Sequence, residues 1–411
     1  MRRKLLFALM VAGTMACQSV TNSTDPTPST LLLNPHATPY EAIDLGILPG
    51  MLGAQATDIN GRGQVVGWNE NGVGGARAFL WEDEVLRDLG SLGGGWSYAQ
   101  DINGNGQIVG VSATADGRFH TFLWSDGVMT DLEPNAAVQE SFLTPYAHIN
   151  DAGHVAFTGI VDWGPHWQRR AYLWRDGVTT DLGTLGGTLT SSQITAINEH
   201  DQVVGLSTDP TFSGGHAFSW NQGTLRDLGT LGGSGTARAV DINDDGQVVG
   251  ISNNHAVLWE NGGITDLGTL PGDYLGTAVA INEAGQVAGT SLFDPYKAGH
   301  AFRWQAGVLV PLSASYLTDS LQLVSVMNEN GLAAGDWRPQ SGPGSQAVAW
   351  ENGVTWVLGA PDAWSFARAV NDKGDVVGYA SSSPHGVSNN TAMLWRRTPG
   401  LMVARRPKKR L

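Results

Sequence analysis

Cysteine is almost missing from this chain. Cys17 is the only one, so the body of the protein has no cysteine nucleophile to offer. Charge is scarce as well: Lys, Arg, Asp and Glu make up only 15% of 411 residues. Helical periodicity is missing throughout the body. No nucleophile elbow, no phosphate loop and no H-E-x-x-H sequence occurs, so the usual signatures of α/β-hydrolase, nucleotide and zinc-protease chemistry are excluded. The charge that exists is unevenly placed. Arg2, Arg3 and Lys4 open the chain, and Arg396, Arg397, Arg405, Arg406, Lys408, Lys409 and Arg410 close it. Setting these ten cations aside takes the formal net charge from −14 to −24. A body that acidic repels nucleic acid and anionic membranes. It favours cations, basic partners or neutral sugars.

What is abundant is glycine, 55 residues, and tryptophan, 15 residues. That combination suggests short strands joined by tight turns. The N-terminus carries an address. A basic start, an apolar run from Leu5 to Ala12 and small residues before Cys17 read as a signal peptide over 1–16. The sequence "TMAC" resembles the bacterial lipobox, which implies lipidation of Cys17 and a place in the outer membrane. Cleavage by ordinary signal peptidase after Ala16 would instead leave a free thiol. Residues 17–39, rich in Ser, Thr and Pro, form a tether, and 399–411 form a basic tail.

Between them, residues 40–398 repeat eight times. Asn recurs at 60, 103, 150, 198, 243, 282, 328 and 371, and a Trp follows each, at 81, 124, 174, 220, 259, 304, 350 and 395. The spacing matches a four-stranded propeller blade. Each unit reads as "AxDIN", "QVVGxS", "HAFLW" and "DLG", joined by turns such as Asp126-Gly127 and Asn352-Gly353. Phe79, Phe122, Tyr172, Phe218 and Phe302 stand two residues before their Trp and share its strand face. The pattern predicts an all-β fold, a β-propeller of eight four-stranded blades closed by an N-terminal strand. "AIDLGIL" (42–48) is a fourth-strand segment with no blade before it, and the eighth unit lacks one; "LMVA" (401–404) is the other candidate for that strand.

"DINDDGQVVG" (241–250) resembles the opening of a calcium loop. Only the Asn recurs in every unit, however. The first position is Ala196 and Ala280 in two units, the fifth is Arg62 and Lys373 in two others, and Ser252 stands where a bidentate Glu belongs. A hairpin turn is the better reading, with no metal and no cofactor. The Gly seven residues after each Asn, replaced by Phe157 in unit 3, predicts close approach of the third-strand Trp. His120, His216, His255 and His300 stand four residues before their Trp, spread over separate blades, and read as hydrogen-bonding strand residues.

"INDDGQVVG…HAVLWENGGITDLGTL" and "INEAGQVAG…HAFRWQAGVLVPL" resemble the HAF family of bacterial extracellular repeat proteins, over about residues 42–395. The resemblance implies an exported propeller and no particular chemistry.

No catalytic residue emerges. The spare aromatics cluster instead in one class of loops. Trp96 and Trp364 fall between blades; Trp163, His166, Trp167 and Trp337 fall between second and third strands. Both classes share one face of a propeller, which makes these six residues the candidate ligand-binding set. The expectation is a monomeric, non-enzymatic binding or scaffold protein, anchored to the membrane only through its lipid. Its partner would be a glycan or protein at the cell surface, not nucleic acid. The alternative is a propeller hydrolase or lyase acting on extracellular polymer.

Overall fold

The structure, a computed structural model, describes residues 38–133, 146–162, 168–186, 191–208, 215–294, 298–313, 320–339, 344–359, 364–382 and 390–398. Blade 1 shows the plan. Its strands Gly53–Ile59, Val65–Glu70, Ala76–Glu82 and Val85–Asp88 pair antiparallel in chain order. Seven such sheets follow one another along the chain, and blades 6 and 7 are also bridged at Gly299 and Leu321. Blade 8 takes its first three strands from Trp364–Val370, Val376–Ser381 and Thr391–Arg397. Its fourth is Tyr40–Asp44, paired antiparallel with the last of these. The first strands of the eight blades touch in a closed circle.

The core is not central. It is divided into eight wedges, each filled by two neighbouring blades. The wedge between blades 8 and 1 joins Ile59, Phe79 and Trp81 to Ala369, Val377 and Leu394. Six of the eight repeat tryptophans are buried, and Trp174 and Trp304 are half-buried against their wedges.

The recurring Asn does more than close a turn. In blade 1, Asn60 Oδ1 accepts the amides of Arg62 and Gln64, 3.0 and 3.1 Å away. Its Nδ2 then donates to the backbone carbonyl of Asn103 in blade 2 at 3.0 Å. The same reach links Asn103 to Asn150, Asn150 to Asn198, Asn198 to Asn243 and Asn243 to Asn282. Asn282 donates to Glu329, Asn328 to Asn371, and Asn371 to Asn60, which completes the circle. A second chain runs beside it. The amides of Gly104, Asp151, Glu199, Asp244, Glu283 and Glu329 donate in turn to the carboxylates of Asp151, Glu199, Asp244, Glu283, Glu329 and Asp372. The residues of the apparent calcium pattern are thus engaged between blades: Asp241 accepts the Ile281 amide at 2.9 Å.

The Gly reading needs correction. A Cβ at Gly67 would overlap the carbonyl oxygen of Gln55 and lie 2.8 Å from the ring of Phe79, not Trp81. Gly67 pairs directly with Phe79, and the first strand bulges between Ala56 and Asp58. Such an extra residue pushes a carbonyl toward its partner strand. Blade 3 confirms the coupling. Its first strand shows no bulge, and there Phe157 replaces Gly and stacks on Tyr172 at 5.3 Å.

Candidate functional site

Alternation along the second strand sets the site. Gly67 lies on the sheet face turned to blade 8, with Phe79 opposite it, so its neighbour Trp68 lies on the face turned to blade 2. There it stacks on Tyr98 of the first strand of blade 2, with centroids 5.2 Å apart and planes 28° apart. Trp96, two residues before Tyr98, lies nearly parallel to it, 16° off at 6.3 Å. Phe119 meets Trp96 edge-on at 4.9 Å. The rings of Trp68, Trp96 and Tyr98 wall a cleft of about 330 Å³ on the loop face between blades 1 and 2, completed by Glu70, Gly72, Gly74, Gly75 and Ala76.

The glycine wall is a loop closed on itself by hydrogen bonds. Asn71 Oδ1 accepts the amides of Val73 and Gly75 at 3.1 and 2.8 Å, and the Asn71 amide donates to the Gly75 carbonyl. Glu70 ends the second strand and brings the one carboxyl in the cleft. Its Oε1 is buried against Gly53 and has no hydrogen-bond partner among the described residues. Burial pushes its pKa above the ordinary carboxylate range. The indole Nε1 of Trp68 is likewise buried without a partner there.

Two other titratable clusters lie between blades. Asp336 is fully buried between blades 7 and 8. Burial drives its pKa up to about 6, against the pull of Arg368 and Arg338. It accepts the Ala367 amide at 3.2 Å. Arg368 stacks over Tyr379 and Phe366, with its guanidinium carbon 5.1 and 5.5 Å from their ring centres, and donates to the Tyr379 hydroxyl. In blade 2, Glu133 replaces the Gly of "DLG". It accepts the Thr121 amide at 2.7 Å, and burial raises its pKa. Beside it, His120 meets Asp131 at 2.8 Å, and this hydrogen bond raises the histidine pKa. The same latch recurs as His216 with Asp227 and His255 with Asp266. The repeat histidines therefore tie the third strand to the fourth. His300, whose unit has Pro311 in place of Asp, turns to Asp273.

Of the six aromatic-face candidates, Trp96 lines the cleft, but from the strand Gly93–Ile102 and not from a loop between blades. Trp364 and Trp337 also lie in strands, Trp364–Val370 and Ala333–Pro339, where loops were expected. Trp364 occupies the equivalent place on blade 8 and packs closely over Gly344. Trp337 stands where other units carry Ser112 or Ser207, and its ring packs against the wedge between blades 6 and 7. Trp163, His166 and Trp167 lie outside the described residues, as does Cys17. Sequence reasoning missed Trp68 and Glu70 as site residues, because both sit inside a strand. A signal was present: three residues past the repeat Gly, the other units carry Ala113, Thr208, Asn253, Leu292, Arg338 or Ser381, and Ile160 in the Phe157 unit. Glu70 is the only carboxylate at that place.

Solved structures share this fold. Dipeptidyl peptidase 4 of Porphyromonas gingivalis matches with a TM-score of 0.52 over 79% of this chain and 54% of its own, at 9% identity. A puromycin-hydrolyzing peptidase of Mycobacterium tuberculosis matches over 82% of this chain and 59% of its own, at 14% identity and a TM-score of 0.46. The acylaminoacyl peptidase of Pyrococcus horikoshii matches over 80% and 57%, at 12% identity and a TM-score of 0.44. This chain thus spans little more than half the length of these enzymes. No protein-family profile and no curated protein matches it. The fold is a β-propeller. The expectation of a non-enzymatic binding or scaffold protein is corrected as the leading reading by the match to dipeptidyl peptidase 4, a peptidase by name; at 9% identity that match shows a shared fold and no activity of this chain.

Proposed function

We propose that this protein is a propeller hydrolase acting on an extracellular polymer, held at the cell surface through Cys17, with Glu70 as its proton donor. The observation that supports this most is Glu70 itself, a carboxyl raised in pKa by burial inside an aromatic cleft. A carboxyl whose proton is held more tightly than usual by burial is suited to protonating a leaving group. The pre-formed loop of Asn71 to Gly75 and the parallel rings hold a polymer segment in place beside it, which is how binding energy is turned into orientation. The test is turnover by the purified full chain on glycans and proteins, read as new reducing ends and new amino ends. Glu70→Gln should lower kcat by a factor on the order of 10²–10⁴. No cleavage of any polymer, or an undiminished rate in Glu70→Gln, defeats the reading.

A further inference from the structure

We infer that the polymer is a neutral glycan, with one sugar ring seated in the cleft of Trp68, Trp96 and Tyr98; this rests on the cleft being the hydrolase site. Four observations on the cleft converge. The rings of Trp68, Tyr98 and Trp96 are near-parallel, 28° and 16° apart. The three rings form a stack, and a ring face turned to the cleft suits the C–H face of a sugar. A trimethylammonium group would call for rings turned around it as a cage. The volume, about 330 Å³, sits at the small end of ligand sites, which run from roughly 300 to 1,000 Å³.

The polar groups fit a ring edged with hydroxyls. Glu70 Oε1 and Trp68 Nε1 are a buried acceptor and a buried donor without partners among the described residues. A sugar hydroxyl, which donates and accepts, fits beside the Glu70 side chain that lines the cleft. A peptide would look for backbone amides on the wall, but those of Val73 and Gly75 are already given to Asn71. Charge works against acidic glycans, because the body of the chain is strongly acidic.

The experiment uses the full chain with Glu70→Gln, which blocks turnover and leaves the rings in place. Titration with neutral hexasaccharides of the gluco, manno, xylo and N-acetylglucosamine series is followed by calorimetry. A polygalacturonate oligomer, a trimethyllysine peptide and an unmodified peptide run beside them. At least one neutral oligosaccharide should bind, and adding Trp96→Ala should weaken it about ten- to a hundredfold, the usual loss of one stacked ring. An unchanged unfolding midpoint shows that this variant folds. Binding of only the acidic oligomer or only a peptide, no binding at all, or affinity unmoved by Trp96→Ala would overturn the inference. The two readings separate cleanly. A protein cleaved without glycan binding sinks the sugar and spares the hydrolase. A glycan bound yet left intact by the wild type does the opposite.

Discussion

At the scale of single residues, the repeat Gly and the strand bulge are one device. A Cβ at Gly205 would overlap the Gln193 carbonyl oxygen and lie 2.9 Å from the Phe218 ring. Both neighbours are fixed by packing, so neither yields cheaply. Gly205→Ala should cost about 1–3 kcal/mol or more, as overpacked cores do, seen as a lower urea midpoint. Asp336 gives a second expectation. Its ordinary value of 3.8 is raised to about 6 by burial. At low pH both folded and unfolded chains hold the proton, and the residue is neutral in its effect. As pH rises through the unfolded value and then the folded one, the unfolded chain releases its proton more readily. Stability therefore drops between about pH 4 and 7, by on the order of 3 kcal/mol. Asp336→Asn keeps an oxygen for the Ala367 amide and escapes that loss. Denaturation midpoints at pH 3 and pH 8 should show the variant gaining on the wild type at the higher pH alone.

At the scale of elements, closure hangs on one strand. Tyr40–Asp44 pairs with Thr391–Arg397, Ala42 facing Trp395, and the Leu45 amide donates to Ala392. Removing residues 38–48 exposes that edge of blade 8 and takes Leu45 and Leu48 out of the wedge against blade 1. An exposed edge invites pairing between copies. The truncated protein should melt lower and run as dimers or larger species in light scattering, where the intact chain does not. This element was legible in the sequence, since "AIDLGIL" had no blade of its own to join. The strands were legible too, because period-two alternation and Asp-Gly or Asn-Gly turns are local signals. What lies between blades was not. Asn60 reads as a turn residue whichever way its amide points, and its reach to Asn103 depends on a neighbour 43 residues away. The cleft was half visible for the same reason: Trp96 stood out as an aromatic outside the repeat pattern, whereas Trp68 gains its meaning only from Tyr98 across a blade boundary.

At the scale of the molecule, the ring joins its two ends within hydrogen-bonding distance. The Thr398 amide donates to the Pro39 carbonyl at 2.8 Å, extending the pairing of Arg397 with Tyr40. Elsewhere a two-residue turn occupies this place, as at Asp83 and Glu84 between Glu82 and Val85. An Asn-Gly turn linking Thr398 to Pro39 would make blade 8 a continuous hairpin like the rest. The chain could then be opened anew between Asp44 and Gly53, so that it begins at blade 1 and ends with blade 8. Every hydrogen-bonded strand pair survives that rearrangement, but the circle is no longer stitched by a strand shared between the two ends of the chain. Its first opening would need the wedge of Ile59 and Phe79 against Val377 and Leu394 to part, together with the Asn371 link, the bond from the Ala54 amide to the Asn390 carbonyl and that from Lys373 to the Arg62 carbonyl. Such a permuted chain should keep its circular dichroism and lose protection against proteolysis first at blades 1 and 8. In the natural chain the same parting would have to unzip a sheet, so the order in which the sequence is read around the circle sets where the molecule can breathe.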